Sequence, residues 1–582
     1  MVDSTRFLKF LTALYGDSIA AQTLSKLISL MDSWRGNIPA PSSADAGLSE
    51  RDAMLITYGD QVRERGMPPL RTLAAFLDRH LEGSINCLHI LPFYPYSSDD
   101  GFSVIDFRQV SSGLGSWADI AKLDEKFRLM FDAVVNHASA RSVWFSAFLR
   151  GEKPYSEYFI EMQESAELSK VVRPRALPLL HRLGEPPNAK SIWTTFSADQ
   201  VDLNYRSPRL LLEVIDLLLY YVSKGAEFIR LDAIAYIWKE VGTSCIHLPQ
   251  THLIIQLFRA VLDEVAPHVK LITETNVPHA DNISYFGDGH NEAQLVYNFA
   301  LPPLVLHTFH TGNASHLSQW ASDITPPSDE VTFFNFLASH DGIGVNPVRG
   351  ILPDSAIEAI IQRVLAHGGL VSYKHNPDGS SSPYEMNINY FDALSDPDGA
   401  ESFDLQVDRF MAAQSIMLTL AGMPGIYFHS FFGSRGWKQG PAQTGHNRSI
   451  NREKFTLEQI ESELKQENTL RHKVVKRYEE LLHARLASSA FHPFGRQKVL
   501  KTSEAIFALL RQSPSTLEKV LCLVNVTDRP QPVDLDPREI FESDADVIHL
   551  TDLISGRLIE AQRTVPLNLS PYEICWLAAI EK

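Results

Sequence analysis

A chain of 582 residues, 44% hydrophobic and 10% aromatic, has apolar side chains enough for a large core and should divide into one big domain with smaller ones attached. Its formal net charge of −17 argues against nucleic acid and anionic lipid as partners, because a polyanion is repelled over most of such a surface. Any anionic substrate would therefore need a local basic pocket.

In chain order, the opening MVDSTRFLKFLTALYGDS has the apolar spacing of an amphipathic helix but neither the unbroken apolar run nor the small-residue cleavage site of a secretory signal. No stretch approaches the ~18 consecutive apolar residues that a membrane span requires, so a soluble cytoplasmic protein is expected. Short apolar runs ending in polar residues then recur: LITYGD from Leu55, CLHILPF from Cys87, LMFDAVVNH from Leu129, EFIRLDA from Glu227, KLITETN from Lys270, LVYNFA from Leu295, FNFLASHD from Phe334 and GIYFHS from Gly425. Amphipathic segments such as SPRLLLEVIDLLLYYVSK (Ser207 to Lys224) and THLIIQLFRAVLDEVAP (Thr251 to Pro267) separate most of them. Buried strands alternating with helices indicate a parallel sheet, and eight such runs fit a closed (β/α)8 TIM barrel. The doubly wound sheet is the competitor, but no GxGxxG follows an early strand.

Two intervals break the alternation, and the tail departs from it. Residues 138–202 are loop-rich, carry VVRPRALPLL and read as an inserted domain; residues 345–404 form a second insertion holding the turn-rich HNPDGSSSPYE. The barrel then comprises 1–137, 203–344 and 405–485, and residues 486–582, with AIFALLRQ, KVLCLVNVT and YEICWLAAI, read as a terminal antiparallel β domain. Cys87, Cys245, Cys522 and Cys575 share no CxxC spacing, which favours buried thiols over a zinc site or a disulfide framework.

In a parallel barrel functional groups gather at the carboxyl ends of the strands. Asp232, Glu274 and Asp341 all fall there, after IRLD, LITE and FLASHD. Three acids converging on one face would repel one another without a compensating task. Two carboxyls about 5 to 5.5 Å apart can share a retaining glycosyl transfer, one attacking the anomeric carbon and the other protonating the departing oxygen. Arg230 lies two residues from Asp232 on the same strand face and should keep it ionised, whereas Glu274 sits in the uncharged run LITETNVPH, where desolvation favours its acid form.

DAVVNH, GAEFIRLDA, LITETN and FLASHDG, in this order, resemble the four signature regions of the α-amylase superfamily. The resemblance implies Asp232 as nucleophile, Glu274 as acid/base and Asp341 as transition-state stabiliser, with Arg230, His137 and His340 around a glucosyl unit. Asn136 matches a calcium-ligand position of some amylases, yet neither metal nor cofactor is expected in the narrower group resembled here. That group is the sucrose phosphorylases, through LPFYPYSSDDGFSVIDF, RPRALPLL, QVDLNYRSP, KEVGTSCIHL, SHDGIGV and HNRSINR. It implies that Asp99 and Arg448 hold outer glucose hydroxyls, Phe196 forms an apolar platform, Gln200 borders the acceptor side, and Arg173 and Arg175 lie near phosphate.

TETNVPH together with SPYE is similar to the glucosylglycerate phosphorylases, which implies that Asn276 and Glu385 meet glycerate hydroxyls, while Arg175 or Arg349 balances its carboxylate. The expected activity is phosphorolysis of 2-O-α-glucosyl-D-glycerate, with the α-glucoside, inorganic phosphate and glucose 1-phosphate as partners. Glucosylglycerol or sucrose phosphorolysis, an α-glucoside hydrolase or transglucosidase, and a non-catalytic member of the fold are the alternatives. A homodimer is compatible with this reading.

Overall fold

The computed structural model describes residues 3–41, 47–163, 165–186, 189–376 and 379–580. Eight parallel strands close into a barrel: β1 (Met54–Thr57), β2 (Cys87–Ile90), β3 (Arg128–Ala133), β4 (Ala226–Leu231), β5 (Lys270–Thr273), β6 (Leu295–Tyr297), β7 (Thr332–Phe336) and β8 (Met423–Tyr427). Each pairs with its neighbour in sequence, and β8 returns to β1 through Met54 opposite Gly425. All eight apolar runs of the sequence are barrel strands. Their residues are buried on both faces, apart from the half-buried Lys270, which is why these runs lack the polar alternation of a half-exposed strand.

The covering helices start where local chemistry allows. Ser207 caps Pro208–Ser223 by accepting from the Leu210 N–H, with Pro208 in the first turn, where its missing N–H costs nothing. Ser402 does the same for Phe403–Thr419. The N-terminal segment forms Ser4–Tyr15, which buries Phe7, Phe10 and Leu11. Among the described residues no helix is long and apolar enough to cross a membrane.

The loops that leave the carboxyl ends carry the extra structure. After β3, His137–Ser139 pairs with Gln200–Asp202, and Leu180–Leu183 pairs with Lys190–Trp193. After β7, Ile343–Gly344, Ser381–Asn387 and Leu370–His375 form a three-stranded antiparallel sheet. Residues 377 and 378 of its turn-rich HNPDGSSSPYE lie outside the described residues. The terminal region holds a six-stranded antiparallel sheet whose adjacent strands Ile506–Gln512, Lys519–Asn525 and Ile574–Ala579 are the alternating stretches of the sequence. It is fastened to the barrel by the buried Arg511, which donates to the Thr419 carbonyl. All four cysteines are free and buried.

Candidate active site

Parallel strands present their carboxyl ends to one side, so the residues that follow them meet. Asp232 directly follows β4, Glu274 directly follows β5, and Asp341 comes five residues after β7. All three line one cavity with Asp99, His137, Phe196, Gln200, Asn276, His340 and Arg448, every one a residue singled out in the sequence.

Arg230 is the hub. Its Nη1 donates to Asp232 Oδ1 at 2.9 Å and also to Asp132 Oδ1, while Nη2 stands 3.7 Å from Glu274 Oε2. Asp132 is fully buried on β3 and shares its other oxygen with His89 Nε2 at 2.7 Å. Burial alone would raise the Asp132 pKa, but Arg230 and His89 hold it down to about 2. A permanent anion thus keeps Arg230 charged and in place. Arg230 is a structural ion-pair partner on one arm and orients the Asp232 carboxylate with the same nitrogen.

Burial pushes Asp232 and Glu274 up to about 7 each, against the pull of Arg230; Asp132 and Asp341 add to the rise at Asp232, and Asp232 and Asp341 to that at Glu274. The closer guanidinium contact belongs to Asp232, so a single shared proton is best carried by Glu274. Glu274 Oε2 also accepts from the Ala233 N–H at 2.9 Å. Ala233 lies in the left-handed region at φ 48°, a conformation uncommon for a residue with a Cβ and concentrated at functional sites.

Asp341 accepts from Arg448 Nη1 at 2.6 Å and lies 3.4 Å from His340 Nε2. The His340 ring stacks on Phe102 at 4.6 Å and 3°, and burial holds it well below the usual histidine pKa, so it is neutral. His137 Nε2 donates to the Phe102 carbonyl at 2.8 Å, and Gln200 Nε2 reaches the same oxygen at 3.0 Å. The Phe196 ring lies 5.5 Å from those of His137 and Tyr236. Arg452 ties the wall together: Nε donates to the His340 carbonyl at 2.9 Å, and Nη1 to Asp100 at 2.7 Å and to Asp99 at 3.4 Å.

The arginine pair of the inserted loop divides. Arg175 lines the cavity with Tyr236 and Tyr384; Arg173 is outside the lining. Arg349 is also outside, next to Asn346 and Asp354. Glu385 is neither a solvated loop acid nor part of the cavity wall. It is fully buried in the strand Ser381–Asn387, and Arg448 engages both its oxygens, so it bears on the cavity through Arg448. The pairing of that strand with Ile343–Gly344 is what draws Glu385 inside.

Residues 81–342 match the model of the α-amylase catalytic domain. The chain is 49% identical over 580 residues to the glucosylglycerate phosphorylase of Spirochaeta thermophila, covering 98% of each chain. The chain belongs to the α-amylase family, in its phosphorylase branch. The glucosylglycerate phosphorylase of Allomeiothermus silvanus is 52% identical over 489 residues, 84% of this chain and 87% of that one. The crystal structure of sucrose 6F-phosphate phosphorylase from Thermoanaerobacter thermosaccharolyticum shares the fold with a TM-score of 0.71 at 24% identity, over 83% of this chain and 96% of that one.

Asn136, expected from the resemblance to match a calcium-ligand position, meets a side-chain cation instead. Lys239 Nζ bridges Asn136 Oδ1 at 2.7 Å and Asp202 Oδ2 at 2.6 Å. Among the described residues no group of three or more His, Cys, Asp or Glu could hold a metal ion. Sequence reasoning missed Lys239, Asp132, Tyr236, Tyr384 and Arg452. Asp132 carried a readable signal, an acid inside the apolar run LMFDAVV, parallel to Arg230 in EFIRLDA.

Proposed function

We propose that this member of the α-amylase family is a retaining glycoside phosphorylase that reversibly converts 2-O-α-D-glucosyl-D-glycerate and phosphate to α-D-glucose 1-phosphate and D-glycerate. The observation that carries the reading is a cavity in which three strand-end carboxylates, gathered around Arg230 and Arg448, face a loop arginine, Arg175, that pairs with no carboxylate among the described residues. The glucosylglycerate phosphorylases with which the chain shares about half its residues support the choice of acceptor.

In the first half-reaction an Asp232 oxygen attacks the anomeric carbon as the bond to glycerate O2 breaks, and Glu274 gives its proton to that oxygen. Asp341 opposes the positive charge that develops on the sugar. Glycerate leaves, and hydrogen phosphate enters beside Arg175. Its hydroxyl oxygen attacks the same carbon and passes its proton to Glu274, which releases Asp232 and restores the proton to where it began. Two inversions give retention. Inorganic phosphate as substrate and four free cysteines fit a cytoplasmic enzyme.

The test is transfer from glucose 1-phosphate to D-glycerate, glycerol, fructose and fructose 6-phosphate, read as released phosphate. D-glycerate should be used with the highest kcat/KM. Release with water alone, indifferent to every acceptor, would make the protein a hydrolase.

A further inference from the structure

Asn276 and Gly344 touch where no side chain larger than hydrogen fits. A Cβ on Gly344 would lie 2.4 Å from Asn276 Oδ1 and 3.0 Å from its Cγ and Nδ2, so its three nearest atoms are all in that one amide. Neither backbone is free to retreat. Gly344 pairs with Glu385, and the next residue, Val345, donates to the Tyr384 carbonyl at 3.0 Å. Asn276 sits in a turn closed by Val277 N–H to the Thr275 carbonyl at 3.1 Å, with Thr275 Oγ1 anchored on Asn282 at 2.6 Å. Gly344 is an extended strand residue, so alanine suits its backbone and a methyl group can act only through space. Gly342 differs, since a Cβ there would also meet the Met386 carbonyl oxygen at 2.6 Å.

Asn276 is one of the residues that line the cavity, and its Oδ1 is buried and takes no hydrogen bond among the described residues. Such an oxygen is costly to leave bare and calls for a donor from the ligand. An acceptor with several carbinol hydroxyls supplies one; hydrogen phosphate has a single hydroxyl, which the reaction consumes.

We propose that Gly344 is a positioning residue for the acceptor: its missing side chain is the space that lets the Asn276 amide present its oxygen to a hydroxyl of the departing or entering acceptor. The inference rests on the reading above that the Asn276 side of the cavity receives glycerate. A methyl group at residue 344 would turn the amide away and cost that one hydrogen bond, leaving the glucosyl side alone.

A double-mutant cycle tests it. KM for D-glycerate and for glucose 1-phosphate are measured in the transfer direction for the wild type, Gly344→Ala, Asn276→Ala and the double variant. The loss of one hydrogen bond predicts that Gly344→Ala raises KM for D-glycerate about tenfold and moves KM for glucose 1-phosphate less than about twofold. Adding Gly344→Ala to Asn276→Ala should change nothing further. An unchanged glycerate KM, equal rises for both substrates, or the same rise in the Asn276→Ala background would each overturn the proposal. Should Gly344→Ala fail to fold, the double variant must fold, because the obstructing amide is gone; failure of both would also overturn it. If the wild type prefers glycerol, the choice of natural acceptor falls, while the same cycle run with glycerol still decides the role of Gly344.

Discussion

Arg448 grips Glu385 with both arms of its guanidinium, Nε to Oε1 at 2.9 Å and Nη2 to Oε2 at 2.6 Å. A forked contact of this kind fixes the plane of the guanidinium as well as its position, and the remaining nitrogen, Nη1, then meets Asp341 at 2.6 Å. Burial works to raise the Glu385 pKa, yet Arg448 outweighs it and holds the carboxyl below the ordinary glutamate value. Glu385 is therefore ionised and committed to Arg448 before any ligand arrives.

Glu385→Gln keeps the shape but removes the charge, leaving a buried cation with Asp341 as its remaining anionic contact. Breaking one side of a buried pair costs about 3 kcal/mol, to be seen as a lower denaturant midpoint. Activity should drop by a similar factor for glycerate and for phosphate as acceptors, because Asp341, which Arg448 holds, serves both half-reactions. A variant that lost only glycerate transfer, with stability intact, would instead place Glu385 in direct contact with the acceptor.

Asp232 and Glu274, both lifted to about 7 by burial, set the pH behaviour. Turnover needs one ionised and one protonated, so kcat/KM should trace a narrow bell around neutrality. Both folded values lie above the unfolded ones, near 4, so between about pH 4 and 7 the folded chain binds more protons and its stability falls as pH rises. Glu274→Gln abolishes the chemistry and removes one of the two penalties. It should stabilise the protein at pH 8 by on the order of 1 kcal/mol, a gain that disappears near pH 4. A Tm difference independent of pH would show that the acid does not titrate in this range.

What could be read in advance and what could not divide along one physical line. The barrel strands were legible because burial on both faces leaves near-continuous apolar runs, as in KLITETN, and Asp232 and Glu274 were legible because they stand at the polar ends of such runs. The acceptor contact expected at Glu385 came from the likeness of TETNVPH and SPYE; its burial against Arg448 was not readable, because it depends on the pairing of Gly344 with Glu385, forty-odd residues apart. RPR offers two arginines at strand-like spacing, and which one enters the cavity depends on the path of a loop, which local sequence does not encode. Lys239 was invisible for the same reason: its partners Asn136 and Asp202 lie far from it in the sequence.

Arg175 lines the cavity, forms no ion pair with a carboxylate among the described residues, and is the arginine proposed above to receive phosphate. Arg175→Ala should lower the ratio of phosphorolysis to hydrolysis of the same glucoside by roughly 10- to 100-fold, the worth of one charge-assisted contact. Arg173→Ala should leave the ratio near that of the wild type. The reverse order of effects would assign phosphate to Arg173.

Lys239 holds together the strands that carry His137 and Gln200 to the cavity. Its ammonium joins Asn136, beside His137, to Asp202, at the far end of the partner strand, and Asp202 additionally accepts from the Thr195 N–H and hydroxyl, both at 2.7 Å. Burial lowers the Lys239 pKa and Asp202 opposes that, so each charge justifies the other. Lys239→Met leaves the buried Asp202 without its cationic partner and should cost about 3 kcal/mol. It should also loosen His137 and Gln200 enough to raise KM for the glucosyl donor. Asp202→Asn added to Lys239→Met removes the stranded charge, so the double variant should regain part of the stability lost by the single one. An unfolding midpoint unchanged in Lys239→Met would mean that the lysine is a bystander and that the hydrogen bonds from Thr195 suffice to hold Asp202.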